Sequence, residues 1–371
     1  MVIGTFYVMG RKDRMAGSGI GTVFRVTTWG ESHGAGLGAV VDGCPAGIPM
    51  DEDYIQTFLD RRKPGGRAFS TPRKEDDRVR ILSGVFEGKT TGTPISLIIE
   101  NTSQRSQDYG NLATTYRPGH ADFGFDVKYG FRDYRGGGRS SGRETAGRVA
   151  AGAIAAKILE MQGIHIRAWV SAIGPVRCDP ERFDAREIMN NAFCMPDAAA
   201  AAEAEKYLKQ LVEEKDSTGS EVTCVVTGMP AGVGEPVFDK LDARLGQAIF
   251  SIGAVKAVEI GDGTAVVERR GSEDNDPFRI REGKVVKSGN HSGGILGGIS
   301  DGGDILLRAS FKPTPSIFRE QQTVNKDGEE VELTIRGRHD PVIGPRAAVV
   351  VETMTAMTIA DLLLMQRTNR I

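Results

Sequence analysis

Residues 31–48 read ESHGAGLGAVVDGCPAGI and residues 216–233 read DSTGSEVTCVVTGMPAGV. At an offset of 185, eight of the 18 positions are identical: Ser, Gly, Val, Val, Gly, Pro, Ala and Gly. Each copy reads as a strand ending in a Pro-Ala-Gly turn and leading to a helix, over about 51–62 and 236–250. Two weaker echoes keep the same order. SGVFEG at 83–88 faces SGGILG at 292–297, each ahead of an apolar strand. RPGHAD at 117–122 faces RGRHDP at 336–341, each ahead of a long apolar helix. Three echoes in one order argue for two similar halves, about 31–164 and 216–366, joined near 165–215.

The long helices are RETAGRVAAGAIAAKILEMQG at 143–163, with no wide polar face, and about 346–366. Both patterns imply burial on most sides. Strand-like runs lie at 22–28, 36–42, 95–100, 166–172, 221–227, 254–260, 304–310 and, in part, 347–352. An amphipathic surface helix is expected over 196–215. Helices inside and strands outside make a layered arrangement.

Composition sets the outer limits. The chain has 371 residues, 39% apolar and 26% charged, the balance of a soluble globular protein with enough chain for a core. Lys and Arg number 47 against 49 Asp and Glu, so no global basic field points to nucleic acid or a membrane surface. Glycine is in excess at 48 residues with no Gly-x-y period, which places it in loops where backbone approaches something closely. Cys44, Cys178, Cys194 and Cys224 have no paired spacing; that disfavours a disulfide scaffold or zinc knuckle and suits a reducing, cytoplasmic setting. No run of about 18 apolar residues is read, so no membrane span is expected. Residues 1–14 lack the layout of a secretory signal. They read as a non-native or disordered lead-in to a single domain over 15–371.

Four loops carry polar chemistry. Gly30-Glu31-Ser32-His33-Gly34 sets a histidine among bare backbone, either facing a cavity or capping a plain turn. Arg117-Pro118-Gly119-His120-Ala121-Asp122 has the same character. RGGGRSSGRE at 135–144 puts three glycines, two serines and flanking arginines before a helix. Its Ser141 and Glu144 have capping-box spacing, and free N–H groups at a positive helix end make an anion cradle. NHSGGILGG at 290–298 leaves room for a flat ligand against its backbone. Basic residues crowd at Arg61, Arg62, Lys63, Arg67, Arg73, Lys74, Arg78 and Arg80. They are either a solvated face or a pocket for a multiply charged anion. Few aromatics and the neighbouring Glu75, Asp76 and Asp77 weigh against nucleic acid.

Two motifs are discarded. GVFEGKT at 84–90 has three residues between its glycines where a P-loop has four, and it precedes a strand. Gly17 to Gly21 does not complete a dinucleotide fingerprint. Of the five histidines, His33, His120, His291 and His339 lie in Gly-rich or Arg-rich loops, and His165 does not. Without cysteine partners or H-x-x-x-H spacing they suggest acid–base work and no metal. Asp340, beside His339 and near Arg336, Arg338 and Arg346, is a candidate base held by cations.

The sequence resembles the chorismate synthase family. The resemblance is carried by FRVTTWGESHGAGLG, IENTSQRSQDYGN, YRPGHADFGFDVKYGFRDYRGGGRSSGRETAGRVAAGA, GNHSGGILGGISDG, FKPTPSI and GRHDPVIGPRA, from about Met15 to Arg367. It implies an α+β fold: a layered β-α-β sandwich, central helices between antiparallel sheets, with an internal pseudo-twofold repeat. It implies a carbon–oxygen lyase that removes phosphate and a ring hydrogen from 5-enolpyruvylshikimate 3-phosphate by 1,4-anti elimination. The product is chorismate, on the shikimate route to the aromatic amino acids. Reduced FMN is required without net redox change, NADPH serves only indirectly through an external flavin reductase, and the assembly is a homotetramer.

Carried over position by position, His33 matches the family histidine at the substrate phosphate, a general acid for the leaving group. His120 matches the one at the flavin, and Asp340 the carboxylate that assists proton removal. Flavin contacts correspond to Arg139, Ser140, Ser141, Gly253, Ala254, Gly297, Lys312, Pro313, Thr314, Pro315, Ser316 and Arg338. Arg62 and Arg67 fall in the family's NADP and substrate-side loop. This chain departs at Gly253, where many members carry Asn, at Ala68, where relatives often carry Arg, and at residues 1–14, which have no counterpart. On the residues alone two other classes stay open: a flavin oxidoreductase turning over a nicotinamide, and a basic RNA-binding module with steep salt dependence.

Overall fold

The computed structural model describes residues 17–65, 69, 75–102, 112–335, 340–367 and 369. Arg67, Ala68, Arg338, His339 and the stretch 1–14 lie outside the described residues. The first half holds β1 (Gly19–Ile20), β2 (Arg25–Gly30), β3 (Gly36–Asp42), α1 (Glu52–Arg62) and β4 (Val79–Ile81). The hairpin β5 (Val85–Phe86) and β6 (Lys89–Thr90) follows, then β7 (Ile95–Glu100), α2 (Asp122–Tyr129) and α3 (Thr145–Glu160). The second half opens with β8 (His165–Ile173), β9 (Val176–Arg177), α4 (Glu187–Asn190), α5 (Ala198–Glu213), β10 (Ser220–Thr227), α6 (Leu241–Phe250) and β11 (Val255–Ile260). After α7 (Gly271–Asp274) come the hairpins β12 (Phe278–Arg281) with β13 (Lys284–Lys287) and β14 (Ile295–Leu296) with β15 (Ile299–Ser300). Then follow β16 (Ile305–Phe311), β17 (Gln321–Val324), β18 (Glu330–Leu333) and α8 (Gly344–Gln366).

The two five-stranded sheets share one plan. The first runs β1-β2-β3-β7-β4 and the second β9-β8-β10-β16-β11, all neighbours antiparallel. Matched strand for strand, β3 falls on β10, β7 on β16 and β4 on β11. Each half places a helix after its central strand, α1 or α6, and a short hairpin before β7 or β16. The two quoted stretches therefore hold the central strands of the two sheets. The region 165–215, expected as a joint, supplies the outer strands β8 and β9 and the helix α5. Those outer strands share no identity pattern with 19–30, so the repeat starts earlier in each half than the echoes suggest.

Alternation builds the core. Ile95, Leu97 and Ile99 of β7 and Ile305, Leu307, Ala309 and Phe311 of β16 are buried at every second position. Each such Ile or Leu contributes roughly 1.5–3 kcal/mol. Helices α1 and α3 cover the first sheet, α6 and α8 the second, and α3 lies against α8. Small residues allow that approach: a Cβ on Gly152 would stand 2.4 Å from Thr353 Cβ, and one on Gly147 2.8 Å from Gly38 O. The strand expected within 347–352 is part of α8; burial on all sides overrides the β preference of Val349, Val350 and Val351. By length and composition α8 could cross a membrane, contrary to the reading that no such run exists, but 83% of its apolar window is buried inside the protein.

Polar clasps fix this layer. Asp361, deep in α8, accepts from the backbone N–H of Thr22, Val23 and Phe24 at 2.7–2.9 Å and from Arg244 at 3.1 Å. Arg61 forks onto Glu352 at 2.6 and 2.8 Å, and Glu352 also accepts from the Ala168 N–H. The hairpin β5–β6 is the structure taken up by the rejected P-loop look-alike at 84–90.

Candidate active site

A cleft of about 660 Å³ lies where the loops leading into α2, α3 and α8 meet the segments after α6 and β16. His33 comes from the β2–β3 turn, His120 from the loop before α2, and Asp340 from the approach to α8; all three line the cleft. His120 of the first half's 117–122 loop and Asp340 of the second half thus meet in one place. Arg139, Ser140, Ser141, Gly253, Ala254, Lys312, Thr314, Pro315 and Ser316 line it too. Gly297 and Pro313 are not among the lining residues. Gly297 sits in the β14–β15 turn at φ +61°.

The fourth loop is held by carboxylates of the segments that follow β11 and precede β12. Asp276 accepts from the His291 and Ser292 N–H groups at 2.9 and 3.0 Å, and His291 Nδ1 pairs with Asp262 at 2.8 Å. Its glycines serve that close wrapping: a Cβ on Gly294 would meet Asp304 O at 2.6 Å.

The cradle before α3 differs from its sequence reading. Ser141 Oγ accepts from Arg143 N at 3.2 Å and caps a 3-10 turn over Gly142–Glu144. The capping box does not close, because Glu144 turns away to Arg148 at 2.8 Å and Thr28 Oγ1 at 3.0 Å. Arg139 spends its fork on the protein, donating to Gly30 O at 3.0 Å, Thr28 O at 3.1 Å and Thr28 Oγ1 at 2.7 Å. It ties the cradle to β2.

Among the described residues of the basic loop, Arg61 and Arg62 are each held by an ion pair within the protein. Arg62 is 1% exposed and pairs with Asp77, which also pairs with Arg143. Burial pulls the Arg62 guanidinium down to about 10, against the opposing pull of Asp77, so it stays charged at neutral pH. Burial alone would raise the acid range of Asp77; the two guanidinium groups outweigh it and hold it low. Asp77 also sits at φ +49°, an uncommon backbone for a non-glycine residue. Sequence reading counted Asp77 only as an acidic neighbour. Its two partners lie 15 and 66 residues away, beyond any local pattern.

His33 lies 3.1 Å from Ser32 Oγ through Nδ1. Gly136 passes beneath its ring so closely that a Cβ there would stand 2.2 Å from Nδ1. Asp340 accepts from Arg346 Nη1 at 2.6 Å, and Arg346 Nε donates to Arg62 O at 3.0 Å. His120 Nδ1 is 2.9 Å from Pro118 O and its Nε2 3.0 Å from Ser316 Oγ. Burial, then the charge of Arg117, holds His120 below the usual imidazole range. Arg117 itself is forked onto Asp122 at 2.8 Å. Gly253 leaves open space, with nothing within 4 Å of an added Cβ. Among the described residues no group of three or more His, Cys, Asp or Glu is placed to hold a metal.

Comparison with known proteins converges on one family. The sequence profile of chorismate synthase matches residues 24–364. A chorismate synthase of Lachnoclostridium phytofermentans is 60% identical over 94% of this chain and 96% of its own length. One from Novosphingobium aromaticivorans is 54% identical over 95% and 99%. A chorismate synthase crystal structure superposes with a TM-score of 0.76 at 32% identity, covering 94% of this chain and 93% of that one. The profile, the relatives and the fold place the chain in the chorismate synthase family of lyases.

Proposed function

We propose that the cleft is where this chain carries out its family's elimination of phosphate from 5-enolpyruvylshikimate 3-phosphate, beside bound reduced FMN. The observation that carries this reading is the convergence of His33, His120 and Asp340, from three separate loops, on one cleft. The product, chorismate, places the protein in aromatic amino acid biosynthesis.

The residues fit a flavin and an anionic substrate. Among the described residues, eight cationic side chains and six carboxylates line the cleft, a surplus suited to anions. Thr314 Oγ1 and Arg62 Nε are buried there without a hydrogen-bond partner among the described residues, a costly state for a polar atom unless a ligand completes it. The volume falls inside the ~300–1,000 Å³ of ligand pockets. Ser140, Ser141, Ala254, Lys312, Thr314 and Ser316 would hold FMN. When bound, reduced FMN supplies electron density to the reacting allylic system.

The chain's own groups do the rest. Breaking the allylic C–O bond builds charge on the departing phosphate; His33 protonates it, and the surrounding arginines stabilise it. Arg346 fixes Asp340, which assists loss of the ring hydrogen. His120, held below the usual imidazole range by burial, lines the same cleft. The family resemblance supports a cytoplasmic homotetramer fed by an external, NADPH-dependent flavin reductase. A single domain over 15–371 is supported by the one hydrophobic cluster that joins both sheets. The fit is tested by Thr314→Val in a calorimetric titration with FMN. Affinity should weaken by about 0.5–1.5 kcal/mol, the worth of one hydrogen bond, while stability holds. Unchanged affinity would remove Thr314 from the flavin site.

A further inference from the structure

Both nitrogens of the His120 ring are engaged inside the protein. Pro118 O, 2.9 Å from Nδ1, can only accept, so Nδ1 carries the proton. In the neutral ring Nε2 is then an acceptor, and the Ser316 hydroxyl, 3.0 Å away, donates to it. Neither nitrogen is left to touch a molecule in the cleft. Ser316 lines the cleft and is itself 7% exposed.

The contact is held from several sides. Lys312 Nζ donates to Gly119 O at 2.7 Å. Pro315 packs so closely on Gly119 that an added Cβ would stand 2.7 Å from Pro315 Cβ. On the same strap, Ser217 Oγ donates to Thr314 O at 2.7 Å. The His120 loop comes from one half of the repeat and the Ser316 strap from the other, so the pair also joins the halves.

We propose that Ser316 is the hydroxyl through which His120 exchanges a proton with a molecule in the cleft. This rests on the reading of His120 as an acid–base residue. The step balances at the serine. An N–H or O–H donor in the cleft gives its proton to Ser316 Oγ as the hydroxyl proton passes to His120 Nε2. One O–H bond forms and one breaks, the ring gains a proton and its charge, and the donor loses both. Pro118 O keeps the Nδ1 proton throughout, so the ring neither flips nor changes tautomer.

Nitrogen-15 NMR of histidine-labelled, ligand-free protein tests this without turnover. Wild type should show His120 with an N–H signal at Nδ1 and an acceptor signal at Nε2. Ser316→Ala should move the Nε2 signal and leave the other histidines in place. At saturating reduced FMN and substrate its turnover should fall about 10²-fold, the lower end of general acid–base effects. Ser316→Thr, which keeps the hydroxyl, should recover most of it. A wild-type ring protonated at Nε2 overturns the relay, even should Ser316→Ala fail to fold. Full turnover in Ser316→Ala with His120→Ala impaired also overturns the relay and leaves His120 its role. Full turnover in His120→Ala overturns the underlying reading of His120.

Discussion

Gly136 is the support on which the placement of His33 rests, and Gly136→Ala isolates that placement from the fold. A Cβ at 136 would stand 2.2 Å from His33 Nδ1 and 2.4 Å from Cε1, whereas ordinary contact begins near 3.4 Å. The ring must retreat by about 3.4 − 2.2 = 1.2 Å. What stands in the way is the end of a rotatable side chain, so the cost to folding stays near 1 kcal/mol, the low end of overpacking. The cost to chemistry is larger, because a misplacement of ~1 Å in a reacting group costs ~10²-fold. Anaerobic phosphate release at saturating reduced FMN, with a urea midpoint alongside, reads both. Turnover should fall about 10²-fold with a nearly unchanged midpoint. His33→Ala should fall by ~10²–10⁴-fold, as for loss of a general acid. The double variant should be no worse than His33→Ala, since the glycine acts through a ring that is gone. Wild-type turnover in Gly136→Ala, or a double variant that loses the product of both effects, refutes the reasoning.

Other predictions concern stability. Gly152→Ala drives a methyl into Thr353, 2.4 Å from its Cβ and 2.6 Å from its carbonyl oxygen; urea unfolding should show a loss of about 1–3 kcal/mol. Arg61→Met strands the Glu352 carboxylate, which is 8% exposed. The same assay should read a loss of about 3 kcal/mol, the low end for breaking a buried pair, because Arg61 is 24% exposed. His120 gives a pH signature. Burial and then Arg117 hold its folded pKa below the unfolded 6.5, so the folded state takes up the proton less readily. Its contribution is full above about pH 6.5 and is lost as pH falls through the lower, folded value. Urea midpoints at about pH 7.5 and 5.5 should therefore differ less in His120→Gln than in wild type.

Much of the architecture was legible because the two central strands end in the same Val-Val and Gly-x-Pro-Ala-Gly pattern. Val40-Val41 and Val225-Val226, each closed by Gly-x-Pro-Ala-Gly, mark β3 and β10, and the spacing around them finds α1, α6, β7 and β16. The outer strands were hidden because β1 precedes β2 while β9 follows β8, so the edges of the two sheets do not align in sequence. In α8 the run Val349-Val350-Val351 satisfies strand and helix alike, and only packing against α3 decides. At the site, Gly-rich loops announced His33, His120 and the cradle. The partners could not be read in the same way. Asp77 under Arg62, Gly136 under His33 and Ser316 on His120 are contacts between loops far apart in sequence. The capping box failed for a similar reason: Glu144 found a better partner in Arg148, one helical turn on.

The central claim is that this cleft eliminates phosphate with the help of reduced flavin and consumes no reductant. The direct measurement follows phosphate and chorismate from 5-enolpyruvylshikimate 3-phosphate under anaerobic conditions, with reduced FMN, with oxidised FMN and with none. The account predicts equal amounts of phosphate and chorismate only with reduced FMN, and a flavin still reduced when the substrate is spent. Phosphate release that proceeds equally without reduced FMN, or flavin oxidised in step with product, would contradict it.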